Sequence, residues 1–309
     1  MMAALPIEDR PKKFARALPA GAPSLGERIE RVLKGRAPAA LSAMGRGEID
    51  ESPVGSLAPG AVHKAIIGLA RAAPVFRSAA RARAALLLMR LDPRPVDTDW
   101  YGLTLRHYPL MTSSYRLMLL AGRRYQAEEF AFLAEHAGEG PFLDIGANAG
   151  AYTFWAAAEW PGREILAFEP DDLLASALRQ NIAATGASAR LFSYALGDRD
   201  GAEDYSPGQE SFLAGRDTVE KPVRRLLPVL TRKGITQIGA LKIDVEGYED
   251  RVLMPFLAEA PAEMLPAAIL IEHLAAPLWR DDVLDALLRV GYRTAFKNAH
   301  NSGLVLTRD

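Results

Sequence analysis

No cysteine occurs anywhere in the chain, so disulfides, thiolate zinc sites and thiol nucleophiles are excluded together. Nor is there a run of about 18 residues free of charged and polar groups, the length a membrane-spanning helix needs. The first 30 residues have no apolar centre of the signal-peptide kind, and a cytoplasmic location is expected. Charge of neither sign dominates. Lys and Arg number 37 against 38 Asp and Glu, a net charge of −1, which argues against a protein that coats nucleic acid. What is present is 309 residues, 49% of them hydrophobic. That suffices to bury one catalytic-sized domain and leave an extension.

Residues 1–60, with stretches such as "RAPAALSAMGRGEIDESPVGSLAPG", hold no helical or strand period and read mostly as a flexible tail. Residues 61–97 form a basic helical extension. Lys64, Arg71, Arg77, Arg81, Arg83 and Arg90 sit there among Ala, Leu, Ile and Val, and Pro74 divides the run into two short helices. Two readings stay open: helices packed on the main domain with a solvated basic face, or a cationic surface for peripheral contact with an anionic inner membrane face.

The main domain spans 98–309. "YGLTLRHYPL" suggests one or two short strands, and Tyr115 to Ala137 reads as a helix. Then strands at Phe142–Ile145, Ile165–Phe168, Arg190–Tyr194, "ALKIDV" and "AAILIEH" alternate with helices at Ala151–Trp160, Leu173 to Gly186, Tyr248–Leu257 and Trp279–Val290. That alternation predicts an α/β fold, a doubly wound, mostly parallel sheet with right-handed crossovers. "YRTAFK" and "GLVLTR" are too close for a crossover helix and must pair as an antiparallel C-terminal hairpin.

In such sheets the ligand lies beyond the carboxyl ends of the strands, at a helix N-terminus. "DIGANAG" stands there. A dinucleotide fingerprint needs a bare backbone where this chain has Asn148, and Asp144 would repel a diphosphate. A cationic ligand reverses the argument: S-adenosylmethionine carries a sulfonium and an ammonium group, and Gly146 and Gly150 let backbone approach it. Glu169, ending the second strand, can accept both ribose hydroxyl protons. The bland alternative is that Asp144 satisfies turn amides and Glu169 serves the next helix start.

"FLDIGANAGAYTFWAA", "ILAFEPDDLLASALRQNIAATG", "LKIDVEGYEDRVL" and "ILIEH" together resemble the FkbM-type family of S-adenosylmethionine-dependent methyltransferases, from Tyr101 onward. The resemblance implies a seven-stranded, Rossmann-like class I methyltransferase fold. It also implies methyl transfer to a hydroxyl of a small-molecule acceptor such as a sugar, a glycolipid or a polyketide-like compound. By position, Asp144, Gly146, Asn148 and Gly150 would line the methionine end, Glu169 the ribose and Asp198 the adenine edge. One departure stands out: Leu227 and Pro228 occupy the place where the family carries a Leu-Asp pair.

If the acceptor is an alcohol, a carboxylate or histidine must take its proton. Asp244, Glu246 and Glu249 cluster at the end of the fourth strand, and Glu272 and His273 at the end of the fifth. Asp244, Glu246, Glu272 and His273 are the catalytic candidates. Against this, Glu246 and Glu249 could complement a helix N-terminus, and His273 could be a core-edge histidine. No metal is expected, because no ligand set is secure. Two other readings remain: a nicotinamide-dependent oxidoreductase, and a noncatalytic membrane-associated module that retains the nucleoside pocket.

Overall fold

The computed structural model describes residues 49–72, 91–205 and 219–307. A seven-stranded sheet forms the centre, in the order β11-β12-β10-β9-β3-β4-β5. Its strands are β3 (Phe142–Ile145), β4 (Ile165–Phe168), β5 (Ala189–Phe192), β9 (Ala240–Ile243), β10 (Ala268–Glu272), β11 (Tyr292–Lys297) and β12 (Asn301–Leu306). The five from β10 to β5 run parallel. β12 lies antiparallel to both of its neighbours. The C-terminal hairpin therefore forms as its spacing requires, and its second strand inserts inside the sheet, leaving β11 at the edge.

Both sheet faces are buried, which explains the near-continuous apolar runs. Phe142, Ile165, Ala167 and Leu270 join one core cluster with Phe130, Tyr152 and Trp155. Leu143, Ile145, Leu166, Phe168, Leu241 and Ile269 join the other with Leu226, Leu253 and Phe256. The strand order reverses between β3 and β9, so the loops leaving those two strands diverge and open a crevice.

Three regions differ from the sequence pattern. The helix expected over Tyr115–Ala137 is two helices, α2 (Ser113–Ala121) and α3 (Ala127–His136), broken by a 3-10 turn at Gly122–Arg124 in which Gly122 takes φ 55°. The helix expected from Trp279 is confined to Val283–Arg289, with Asp282 capping its start. The segment 201–225, which the sequence pattern above leaves without an element, contributes β7 (Gly201–Tyr205) and β8 (Val219–Arg224), which join β6 (Ala195–Leu196) in a small separate sheet. At the departure noted above, a helix begins at Leu226, and Asp200 accepts from the Arg225 amide at 2.8 Å.

Residues 49–57, read above within the tail, are packed on the domain. Arg106, fully buried on the hairpin of β1 (Val96–Trp100) and β2 (Leu103–His107), is the fastener. Its guanidinium makes two bonds to Asp97, at 2.8 and 2.9 Å, and donates to the Asp50, Ser52 and Pro53 carbonyls. A buried guanidinium needs this full set of partners to offset desolvation. Helix α1 (Ala61–Ala72) packs Ile66, Ile67 and Ala70 against Leu119 and Leu120, and Arg71 donates to the Leu119 carbonyl. Arg77, Arg81, Arg83 and Arg90 lie outside the described residues. Among the described residues no helix is long and apolar enough to cross a membrane.

Candidate active site

A cleft of about 780 Å³ opens at the reversal between β3 and β9. On one side the β3 turn passes through Gly146 (φ 76°) and Asn148 (φ 50°), both left-handed. A methyl group on Gly146 would run into the Asp244 carbonyl oxygen, so glycine is required where the two turns touch. The amides of Gly146 and Ala147 are bound to the Phe168 carbonyl. The amide of Asn148 donates to Glu169 at 2.8 Å, and the other Glu169 oxygen accepts from the Asp171 amide at 2.9 Å. Glu169 thus ties the β3 turn to the loop after β4. Burial pushes its carboxyl up to about 7, against the opposing pull of those two amides.

On the other side the chain leaves β9 through Asp244, Val245, Glu246 and Gly247, with Glu246 at φ 56° and Gly247 at φ 98°. Glu249, buried behind this turn, accepts from the Val245 and Gly247 amides and from the Trp279 indole at 2.6 Å. Glu272 accepts from the Leu274 and Ala275 amides. Burial first, and then the neighbouring charge of Asp244, raises Glu272 to about 7. Asp244, Glu249 and Glu272 bring oxygens within 4.8 Å of one another, yet Glu249 and Glu272 spend theirs on these backbone and indole donors.

Of the sequence-predicted site residues, Gly146, Asn148, Glu169, Asp244, Glu246 and Glu272 line the cleft. Four others are not among its described lining, each for a physical reason. Asp144 is fully buried beneath the turn, where it accepts from Thr153 at 2.7 Å and lies 3.5 Å from the Lys242 ammonium. It lies beneath the turn, bonded to the helix that follows and facing the strand beside it. Gly150 is small because a side chain there would strike Leu178 and Phe154. Asp198 faces Arg280 at 3.4 Å. His273 pairs with Ser302 at 3.1 Å, and burial, then Lys297 and His300, lowers its pKa.

Sequence reasoning missed Lys242, which donates to the Gly146 carbonyl at 2.7 Å. It also missed Asp171, whose carboxylate caps α4 (Asp172–Thr185) through the Leu173 and Leu174 amides. The "EPDD" pattern before an apolar helix carried that cap signal. Tyr194 to Leu196, Tyr205, Lys221, His300 and Asn301 complete much of the wall. Eight carboxylate side chains and two lysines line the cleft. Lys221 pairs with Asp172 at 2.6 Å, so the field inside favours cations.

Residues 144–294 match the family described as Methyltransferase FkbM domain. The 31-O-demethyl-FK506 methyltransferase FkbM of Streptomyces tacrolimicus is 29% identical over 148 residues, 36% of this chain and 57% of that protein. The match thus spans little more than half the length of that relative. Among solved structures, a tRNA uracil-54 methyltransferase of Pyrococcus abyssi in complex with S-adenosyl-L-homocysteine aligns with a TM-score of 0.40 at 11% identity, over 68% of this chain and 43% of that one. An rRNA methylase of Streptococcus thermophilus aligns with a TM-score of 0.36 at 12% identity, over 59% and 95%. The β3 turn, the β4 end and the β9 turn all lie within residues 144–294, so the cleft is built from the part of the chain that is similar to the FkbM methyltransferase domain.

Proposed function

We propose that this methyltransferase uses S-adenosylmethionine to methylate a hydroxyl of a small-molecule acceptor. The observation that carries the reading is the bond from the Asn148 amide to Glu169, which sets a strand-end carboxylate and a glycine turn against one acid-lined cleft. The residues fit the group. Each Glu169 oxygen holds one backbone amide and keeps a lone pair for a ribose hydroxyl. The Asn148 side-chain oxygen is buried without a partner, and the surplus of carboxylates suits a ligand bearing an ammonium and a sulfonium. When bound, S-adenosylmethionine supplies an electrophilic methyl group.

The chain's own contribution is orientation, exclusion of water and proton removal. Glu169 fixes the nucleoside. Glu246, at the lip of the β9 turn, receives the hydroxyl proton, with Asp244 and Glu272 beside it. A carboxyl held near 7, as at Glu272, suits acid–base work at neutral pH. Calorimetry tests the reading: S-adenosylmethionine and its demethylated product should bind while a nicotinamide dinucleotide does not. Tight dinucleotide binding with no response to the sulfonium would overturn it. A panel of sugars, glycolipids and polyketides with labelled cofactor then identifies the acceptor.

A further inference from the structure

Large apolar side chains are left in solvent beside the acids of the cleft. Leu278 and Leu274 are 66% and 62% exposed and Tyr248 38%. Among the described large hydrophobics only Leu69, on helix α1, matches those two leucines. Tyr248 and Leu274 line the cleft, and Leu278 packs so closely on the Glu246–Gly247 turn that a methyl group on Gly247 would lie 2.9 Å from it.

The exposure is built in. Leu274 is held by its amide bond to Glu272 at 2.7 Å, and the chain just past Leu278 by the Trp279 indole on Glu249 and the Arg280 amide on Asp250 at 2.7 Å. Three carboxylates therefore fix a loop that presents leucine to water, an arrangement that raises the free energy of the unliganded protein. The adjoining cleft wall is acidic, and its two lysines are engaged with Asp172 and the Gly146 carbonyl. Arg251 stacks over the Tyr248 ring at 3.8 Å, outside the described lining, so an acceptor whose phosphate, sulfate or carboxylate enters the acid-lined cleft itself is repelled there.

We propose that the methyl acceptor is an uncharged amphiphile, with an aliphatic or otherwise apolar body lying on Tyr248, Leu274 and Leu278 and a hydroxyl reaching the acids at Asp244 and Glu246. The proposal rests on the methyltransferase reading of this cleft and narrows its acceptor class.

The test uses the full chain saturated with S-adenosylhomocysteine and titrated with hexyl, heptyl and octyl β-glucoside below their micelle concentrations. Glucose and octyl sulfate serve as comparison probes. Affinity should tighten about two- to fourfold per methylene, glucose and octyl sulfate should bind at least tenfold more weakly than octyl glucoside, and the double variant Leu274→Ser, Leu278→Ser should lose the chain-length dependence. Both leucines are exposed, so the fold should survive, and unchanged S-adenosylhomocysteine affinity in the variant verifies this. Affinity independent of chain length, equal binding of octyl sulfate, or an unaffected double variant overturns the proposal. So does sedimentation of the parent but not the variant with neutral phosphatidylcholine vesicles, which would assign the rim to a bilayer, or a dimer lost in the variant, which would assign it to a second copy. Failure of S-adenosylhomocysteine itself to bind is a separate result and rejects the cofactor reading instead.

Discussion

The two turns that face each other across the cleft solve the same problem in different ways. Each passes through one non-glycine residue in the left-handed region, Asn148 at φ 50° and Glu246 at φ 56°. Asparagine is several-fold enriched there, whereas a longer side chain gains no such relief. The cofactor-side turn is held by Glu169, a carboxylate that also faces the cleft. The acid-side turn is braced from behind by Glu249, through two amides and an indole. Under the proposed function, support and ligand contact coincide on the first side and are divided between two residues on the second. A substitution at Glu169 should therefore disturb binding and turn geometry together, while a substitution at Glu246 leaves the Glu249 bonds that brace its turn in place.

The largest expected effect lies where the turns meet. Gly146→Ala would drive a methyl group into the Asp244 carbonyl and strain a backbone at φ 76°. It should destabilise the protein by more than about 2 kcal/mol and abolish cofactor binding, measured by denaturant unfolding and calorimetry. Next is Glu246→Gln, which keeps the volume and removes the base. Turnover should fall roughly 10²- to 10⁴-fold while S-adenosylhomocysteine affinity stays within about threefold. Turnover near the parent's on an identified acceptor would reject Glu246 as the base. Glu169→Ala should weaken the cofactor about 10- to 150-fold, the loss of charge-assisted bonds worth roughly 1.5 to 3 kcal/mol. An unchanged affinity would leave Glu169 as a helix-start residue only.

A smaller effect is expected from pH. Glu169 and Glu272 are both raised from an ordinary 4.5 to about 7. The unliganded folded state binds more protons than the unfolded chain between those values. Their contribution is thus present below about 4.5 and is lost as pH climbs through about 7. Cofactor binding has the opposite slope, because ribose hydroxyls and a sulfonium favour the ionised carboxylate. Affinity should rise with pH through about 7, with proton release visible as a buffer-dependent heat, and Glu169→Gln should erase both. The smallest effect probes the strained backbone itself. Glu246→Gly should raise unfolding stability by about 1 kcal/mol while removing turnover, and Asn148→Gly should stay within about 0.5 kcal/mol. Equal responses at the two positions would break the contrast between the turns.

Sequence periodicity located β3, β4, β9 and β10 because buried parallel strands read as uninterrupted apolar runs, and strand ends pointed to Glu169, Asp244, Glu246 and Glu272. Asp144 lies deeper than the described lining of the cleft for a local reason. It shares a sheet face with Phe142, and the helix that follows brings Thr153 over it, so its carboxylate turns inward. His273 is drawn away from the cleft by Ser302 on β12, a strand whose insertion beside β10 no local pattern encodes. Lys242 looked like an ordinary strand residue, yet it sits opposite Asp144 in the β3–β9 register. The Arg106 fastener and the small β6–β8–β7 sheet depend on pairings distant in sequence, so neither had a local signature.

The position of β3 bears on how the molecule is made. Its neighbour β4 follows after one helix, but its other neighbour, β9, comes only after β5, the small sheet and helix Leu226–Arg232. A chain emerging in order completes the Asn148–Glu169 grip well before the acid turn exists, and until then one side of β3 is an apolar strand edge without a partner. Such edges template misassociation, and the long closure that covers this one is slow. The β3 edge beside the cleft thus stays without its second partner strand during synthesis until β9 has been made.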